Sequence, residues 1–544
     1  MPAGDTPAGA AVGADTRSER LNTKAAGVVG LAVLCSRVLG LAREQIFAAL
    51  FGGGRIMDAF TIAFRIPNLL RDLFAEGALS TAFVTVFTRT AALEDDAAAW
   101  RLANKVATLT VITLSAITVL GIAVAPWLVA ALAPGFDPGK AALTVTLTRV
   151  MYPFILLVSL AALVMGMLNA RNVFGIPAMA SSFFNLGSIV AGVVLGYFLD
   201  PHFGARAILG LAIGTLLGGA LQLVVQLPAL RRAGYRYHPD LRWRDPGVRA
   251  ILRLMGPSVI AASTTQVNVL VNSVFASQLG DGPTFWLTVA FRLMQLPLGI
   301  FGVALGTVAL PLLARLAATG DGSGFRRELA RGMRLAFLLT IPASLGLIVL
   351  AGPIISVLYQ HGRFGAHEAA EAAGALRFYA LGLCGYAALK VLVNAFYAID
   401  RRKTPMVVSF VAVALNLLLN WIFTRQLDWG HRGLAFSTAC VATSNFVILY
   451  LLMRSHLGRL ESRQLLRLLA KVALASLALL LVAAAGQQLL LSAWAIQPFW
   501  PKCAGLLLVI ACAAAAFFLV AAALGISEVH DVAMAVRRRL TRTR

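Results

Sequence analysis

The chain has 544 residues, of which 59% are hydrophobic and only 13% charged, and its mean hydropathy is +0.81. A soluble protein of this length has no use for so much apolar surface; repeated apolar runs of about 20 residues mark an α-helical membrane protein. The net charge of +23, from 47 Lys and Arg against 24 Asp and Glu, does not point to nucleic acid. Most of the excess sits in short loops between apolar runs, the pattern that fixes topology and meets anionic headgroups.

In chain order, residues 1–22 are Ala-, Gly- and polar-rich and lack the apolar core of a signal peptide, so they are expected to form a disordered cytoplasmic tail. About fourteen spans follow: 24–50, 57–91, 103–133, 140–169, 173–198, 205–231, 249–279, 284–315, 328–351, 371–399, 404–425, 433–454, 465–491 and 502–525. The second is overlong because IPNLLRD interrupts it, and Pro67 favours a kink or break there. GGGR at Gly52–Arg55 is too short for a phosphate loop and is expected to be a flexible, hinge-like connection. Cys35, Cys384, Cys440, Cys503 and Cys512 form no CxxC pair and are expected to pack, with neither disulfide nor metal.

Lys and Arg concentrate in alternate loops, including Arg231, Arg232, Arg242, Arg244, Arg326, Arg327 and the run Arg401-Arg402-Lys403, while the opposite loops carry scattered single cations. Both termini are therefore expected in the cytoplasm. A faint repeat aligns FRIPNLLRDLF at Phe64 with FRLMQLPLGIF at Phe291. Arg149, Tyr152 and Pro177 likewise align with Arg377, Tyr379 and Pro405. The expected organisation is an all-α polytopic protein with two six-helix lobes, 23–235 and 236–456, a further helix pair at 457–530 and a basic tail at 531–544. Parallel repeats of this kind are common in transporters, with the substrate site near the midplane.

Four arginines lie within or beside spans: Arg37, Arg43, Arg71 and, in the second half, Arg292. A cation inside the bilayer is costly and by default marks a functional site. Arg37 and Arg43 are separated by about 120° on an ideal helix, so they need a wide cavity, or a bend or close approach at Gly40. Structural roles compete: Arg43 snorkelling or pairing with Glu44, Arg65 neutralising Asp58, and Asp72 and Glu76 neutralising Arg71. Too few acids lie in the spans to absorb all four cations, and arginine forks match phosphate oxygens. An anionic substrate, a phosphate or pyrophosphate, fits best. A cation exporter needs central carboxylates that are outnumbered here, and a membrane enzyme needs an acidic metal pair or catalytic loop that the sequence lacks. No metal ligand set and no catalytic motif stands out; Lys390 suits a lobe-to-lobe pair or, second, a further binding site, and the span asparagines Asn169, Asn185, Asn416 and Asn420 suit interhelical hydrogen bonds.

SRVLGLARE, MDAFTIAFRIPNLLRDLFAEGALSTAF, APGFD, FRLMQLP with GVALGTVALP, and LYQHGRF together strongly resemble the MurJ/MviN family, bacterial lipid II flippases of the multidrug/oligosaccharidyl-lipid/polysaccharide exporter superfamily. The resemblance runs from span 1 through span 12. It implies fourteen spans in two lobes around a central cavity, undecaprenyl-pyrophosphate disaccharide-pentapeptide as substrate, alternating access, and a place in the inner membrane in peptidoglycan synthesis. It implies substrate-binding roles for Arg37, Arg43, Arg71 and Arg292. Asp58, Arg65 and Glu76 form a supporting charge network, and Gly40 and Pro67 are hinge positions. Spans 13 and 14 are implied to hold the lipid tail. No cofactor is expected; a coupling ion, cell-wall partner proteins and another polyprenyl-linked glycan as cargo stay open, and the chain is expected to be monomeric and not an enzyme. Phe291 stands where relatives commonly carry an acid, and Gln295 also replaces one.

Overall fold

The computed structural model describes the backbone of residues 15–72, 79–458, 461–492 and 498–529, and side chains from residue 27 on, except at 28, 258, 260–262, 264–265 and 302–309. Among the described residues every regular element is helical. The first half holds α1 (Asp15–Phe51), α2 (Arg55–Arg71), α3 (Ser80–Leu93), α4 (Asp96–Leu132), α5 (Pro138–Met151), α6 (Phe154–Ala170), α7 (Gly175–Leu199), α8 (Ile208–Val224) and the short α9 (Leu227–Arg232). Next come α10 (Pro246–Ser277), α11 (Pro283–Pro297), a π-turn at Leu298–Gly302, α12 (Val303–Ala318), α13 (Gly322–Tyr359), α14 (Ala366–Leu381) and α15 (Leu383–Ala398). The chain ends with α16 (Lys403–Trp421), a π-turn at Ile422–Gln426, α17 (Gly430–Leu457), α18 (Ser462–Leu489) and α19 (Phe499–Ala523).

Among the described residues, ten helical segments are long and apolar enough to cross a membrane, or eleven if α14 and α15, bent by 41°, form one broken span. The other three expected spans, 24–50, 57–91 and 249–279, each include residues outside the description, and for them the count of fourteen rests on sequence. Residues 15–22, expected as tail, are helical and open α1. The basic tail at 531–544 lies outside the described residues.

The internal repeat has a structural counterpart. α14 and α15 begin and end 228 residues after α5 and α6, and both pairs are interrupted at the same place. Pro153 lacks an amide donor at the first break. At the second, a side chain on Gly382 would stand 2.7 Å from the Ala439 backbone.

The chain forms two compact units, one of residues up to 47, 62–129 and 139–263, the other of 48–61, 130–138 and 264 onward. In the first unit α7 and α8 pair along a glycine seam. A Cβ on Gly210 would lie 2.2 Å from the Gly196 nitrogen, and one on Gly214 would lie 2.4 Å from the Gly192 Cα. Backbones approach this closely where apolar surface gives no advantage over lipid and contact itself must hold helices together. Phe83, Phe87, Leu102, Leu163 and Met167 pack α3, α4 and α6 into one core. At its edge Arg171 lies 4.8 Å over Trp100 and pairs with Asp96 at 2.8 Å.

In the second unit the 38-residue α13 is the spine for α14, α18 and α19. Arg334 donates to Glu528 at 2.6 Å and to Glu461 at 2.9 Å, tying α13 to both ends of the terminal helix pair. Three of the asparagines behave as expected from sequence: Asn420 donates to Asn272 at 2.8 Å, Asn416 to Ser437 at 3.3 Å, and in the first unit Asn185 to the Ser36 carbonyl at 3.1 Å.

Candidate functional site

The first unit gathers Arg37, Arg43, Arg65 and Arg71 on α1 and α2. Arg37 is exposed, whereas Arg43 is only 8% exposed. Its guanidinium lies 4.9 Å from the Phe184 ring centre and 5.8 Å from that of Phe64, two cation–π contacts that offset part of its desolvation. Phe64 and Phe184 in turn flank Phe154 at 5.6 and 5.4 Å, so an aromatic cluster fixes where Arg43 sits. Arg71 closes on its neighbour Asp72, with Nε and Nη2 at 3.1 and 2.9 Å from one oxygen. Arg65 is half-buried, and Glu76 lies outside the described residues.

Gly40 is a point of close approach. A side chain there would touch Asn185 at 3.5 Å, and α1 continues through it unbroken. Pro67 sits inside α2, which ends four residues later at Arg71.

Arg292 belongs to the second unit, half-buried on α11 beside Phe291, whose ring meets Tyr379 at 5.3 Å. Asp58 is in that unit too and is fully buried. Its two oxygens accept from the Gly282 and Phe285 amides at 2.7 and 2.9 Å. It therefore caps the N-terminus of α11, where backbone donors lack partners and the helix dipole favours an anion. Beyond the charge network suggested by the sequence, the carboxylate serves a helix end 224 residues away.

Around this cap the second unit builds a compact knot. Arg55 forks onto Asp137 with two bonds of 2.5 Å, the Gly135 amide donates to Ser277 at 3.3 Å, and the Arg363 amide donates to the Ala49 carbonyl at 2.8 Å. The Gly52–Gly54 stretch is not the flexible connection expected. Gly52 takes a φ of +77°, and a Cβ on Gly53 would stand 2.7 Å from the Phe364 ring. Here glycine lets segments press together. Asp137, Arg363 and Gly362 carry the knot and were given no role from sequence, although APGFD and LYQHGRF contain them. Among the described residues no cluster of His, Cys, Asp and Glu could hold a metal ion.

The sequence model described as "Lipid II flippase MurJ" matches residues 47–504. The chain belongs to the MurJ lipid II flippase family. A lipid II flippase MurJ from Burkholderia cenocepacia is 38% identical over 427 residues, covering 77% of this chain and 81% of the relative. A solved structure of lipid II flippase MurJ in an inward closed conformation aligns with a TM-score of 0.75 at 25% identity, covering 91% of this chain and 98% of that one. An inward-facing multidrug-resistance MATE transporter shares the fold, with a TM-score of 0.67 at 16% identity over 78% of this chain and 96% of that one. The family match takes in Arg71, Asp58, Arg292 and every segment of the knot, while Arg37 and Arg43 precede it. Within the MurJ family frame, three of the motifs that carry the resemblance meet in one place: MDAF supplies Asp58, APGFD supplies Asp137, and LYQHGRF supplies Arg363 and Phe364.

Proposed function

We propose that this protein carries lipid II from the inner to the outer leaflet of the bacterial cytoplasmic membrane by alternating access, in peptidoglycan synthesis. The observation that carries the proposal is the match to lipid II flippases over most of the chain at up to 38% identity. Arg37, Arg43, Arg71 and Arg292 receive the pyrophosphate, their guanidinium groups replacing part of its lost hydration. Asp58, Arg65 and Glu76 support them, with Gly40 and Pro67 as points of adjustment. The lobes correspond to 23–235 and 236–456, spans 13 and 14 carry the prenyl tail, and both termini lie in the cytoplasm. The knot around Asp58 is the outer gate: alternating access requires that Asp58 release α11 and that the Ala49–Arg363 and Gly135–Ser277 contacts part.

No bond is made or broken in this cycle, so no catalytic residue is assigned. A membrane potential negative inside drives an anion outward, each charge crossing 100 mV contributing about 2.3 kcal/mol. Complementation tests the proposal. A bacterium depleted of its own lipid II flippase is supplied with this chain, and lipid II reaching the outer face is assayed. Rescue is expected; normal membrane insertion without rescue refutes it, and rescue only of an O-antigen or exopolysaccharide exporter defect assigns another polyprenyl-linked glycan.

A further inference from the structure

The first unit holds a cavity of about 310 Å³ that neither the arginines nor the knot touch, lined by Val106, Leu114 and Ile117 of α4, Ser159 of α6, Leu252 of α10 and Trp243 of the preceding loop, among others. It is elongated: from Val106 to Ile117 α4 rises about 16 Å. Its walls are overwhelmingly apolar. Trp243 and Leu252 are each 58% exposed, so the cavity opens sideways.

One end of the cavity is charged. Lys105, one residue before the lining begins, pairs with Asp245. Arg242 is taken up by Asp240 at 2.7 Å. That leaves Arg244, 4.9 Å over the Trp243 ring, together with the exposed Arg249 and Arg253. These last two are four residues apart on α10, on the stripe next to Val248 and Leu252, which face the cavity. The shape is that of an amphiphile: an apolar slot along the helices, capped at the loop end by surplus positive charge and an aromatic ring. Tryptophan and arginine at the mouth of an apolar slot are side chains suited to grip a lipid at its headgroup boundary.

We propose that this slot is a binding site for an anionic diacyl phospholipid, one acyl chain lying between α4 and α10 and the phosphate held by Arg244, Arg249 and Arg253. At about 16 Å long, the slot matches the depth of one leaflet's hydrocarbon, half of a core about 30 Å thick. That suits one fatty acyl chain, whereas a long polyprenyl tail is longer than one leaflet is deep, which favours a phospholipid over the transported substrate. The site lies within one unit and does not depend on the proposed transport function.

Native mass spectrometry of the detergent-released full chain tests it, with phosphatidylglycerol and phosphatidylcholine of identical chains and with undecaprenyl phosphate. Phosphatidylglycerol is expected to be retained roughly tenfold more than phosphatidylcholine. The double variant Arg249→Ala, Arg253→Ala, at exposed positions, is expected to abolish that preference while leaving phosphatidylcholine retention unchanged. Thr113→Trp, which fills the slot, is expected to lower retention of both phospholipids. The proposal is overturned if the two phospholipids are retained equally, if the preference survives the double variant, or if undecaprenyl phosphate displaces phosphatidylglycerol and is itself lost in Thr113→Trp. If Thr113→Trp does not fold, the double variant decides alone.

Discussion

Removing the Asp58 carboxylate is expected to loosen the knot. The group is buried, and its two oxygens hold the Gly282 and Phe285 amides at 2.7 and 2.9 Å. Hydrogen bonds to an ionised partner are each worth about 1.5–3 kcal/mol, and an orphaned buried donor costs about 1–3 kcal/mol. Asp58→Ala strips both bonds, and water entering the small void recovers part of the loss, so about 3 kcal/mol is expected. Asp58→Asn keeps one acceptor but turns an NH₂ group toward the other amide, and it removes the charge that the helix dipole favours, for about 1.5–3 kcal/mol. The assay is thiol labelling of Ser277→Cys in a cysteine-depleted background. Ser277 is fully buried beneath the Gly135 amide, so its replacement reacts only when the knot opens. At about 1.4 kcal/mol per tenfold, labelling should accelerate roughly 100-fold in Asp58→Ala and at least tenfold in Asp58→Asn. If both variants label at the parent rate with unchanged melting, the cap contributes nothing to closure and the gate assignment fails.

Other positions give sharper or simpler readouts. Arg43→Ala removes two ring contacts of about 0.5–2 kcal/mol each, lowering the melting temperature and abolishing flipping. Arg43→Lys is expected to restore part of the stability but not transport, because lysine lacks the planar fork, and full transport by the lysine variant would rule out bidentate phosphate binding at this position. Gly210→Val drives a side chain into the Gly196 backbone, which cannot yield as a flexible side chain could. The expected loss is about 3 kcal/mol or failure to accumulate in the membrane. Gly54→Ala, with nothing within 4 Å, is the neutral control in the same melting experiment. At the loop ahead of α10, the Arg242 side chain holds the Asp240 carboxyl down at about 2. A depressed carboxyl contributes stability above its ordinary pKa of about 4, and that contribution is lost as pH falls towards 2. The protection factor of the Arg242 amide, whose N–H donates to Asp240 at 3.0 Å, taken after division by the intrinsic exchange rate at each pH, should stay flat above pH 5 and fall below about pH 4.

The sequence made some features plain and concealed others, for physical reasons. Helices were legible because a bilayer tolerates little else, and the repeat was legible because FRIPNLLRDLF and FRLMQLPLGIF recur at one shift, whereas the shared break at Pro153 and Gly382 pairs two different residues and was not. Arg43 stood out as a cation in an apolar run, yet its aromatic seat did not. Phe64 and Phe184 lie on different helices, 120 residues apart, and no local spacing connects them. Asp58 was read against Arg65 because helical periodicity exposes only partners on the same helix. Its bonds to the Gly282 and Phe285 amides stayed hidden because every residue except proline carries such a donor, which leaves no mark in a sequence.

Glycine shows the same limit from the other side. A run such as Gly52-Gly53-Gly54 is compatible with freedom or with crowding, since lacking a Cβ permits both unusual φ and close approach. Gly52 uses the first property, at φ +77°, and Gly53 the second, against Phe364. Gly282 uses both at once: its φ is +108°, a Cβ would meet Trp286 at 2.2 Å, and its amide is one of the two that Asp58 accepts. A substitution there would disturb the turn, the packing and the cap together. Tightness of this kind suits a gate: a contact made of backbone amides, one buried carboxylate and absent side chains closes to a single geometry.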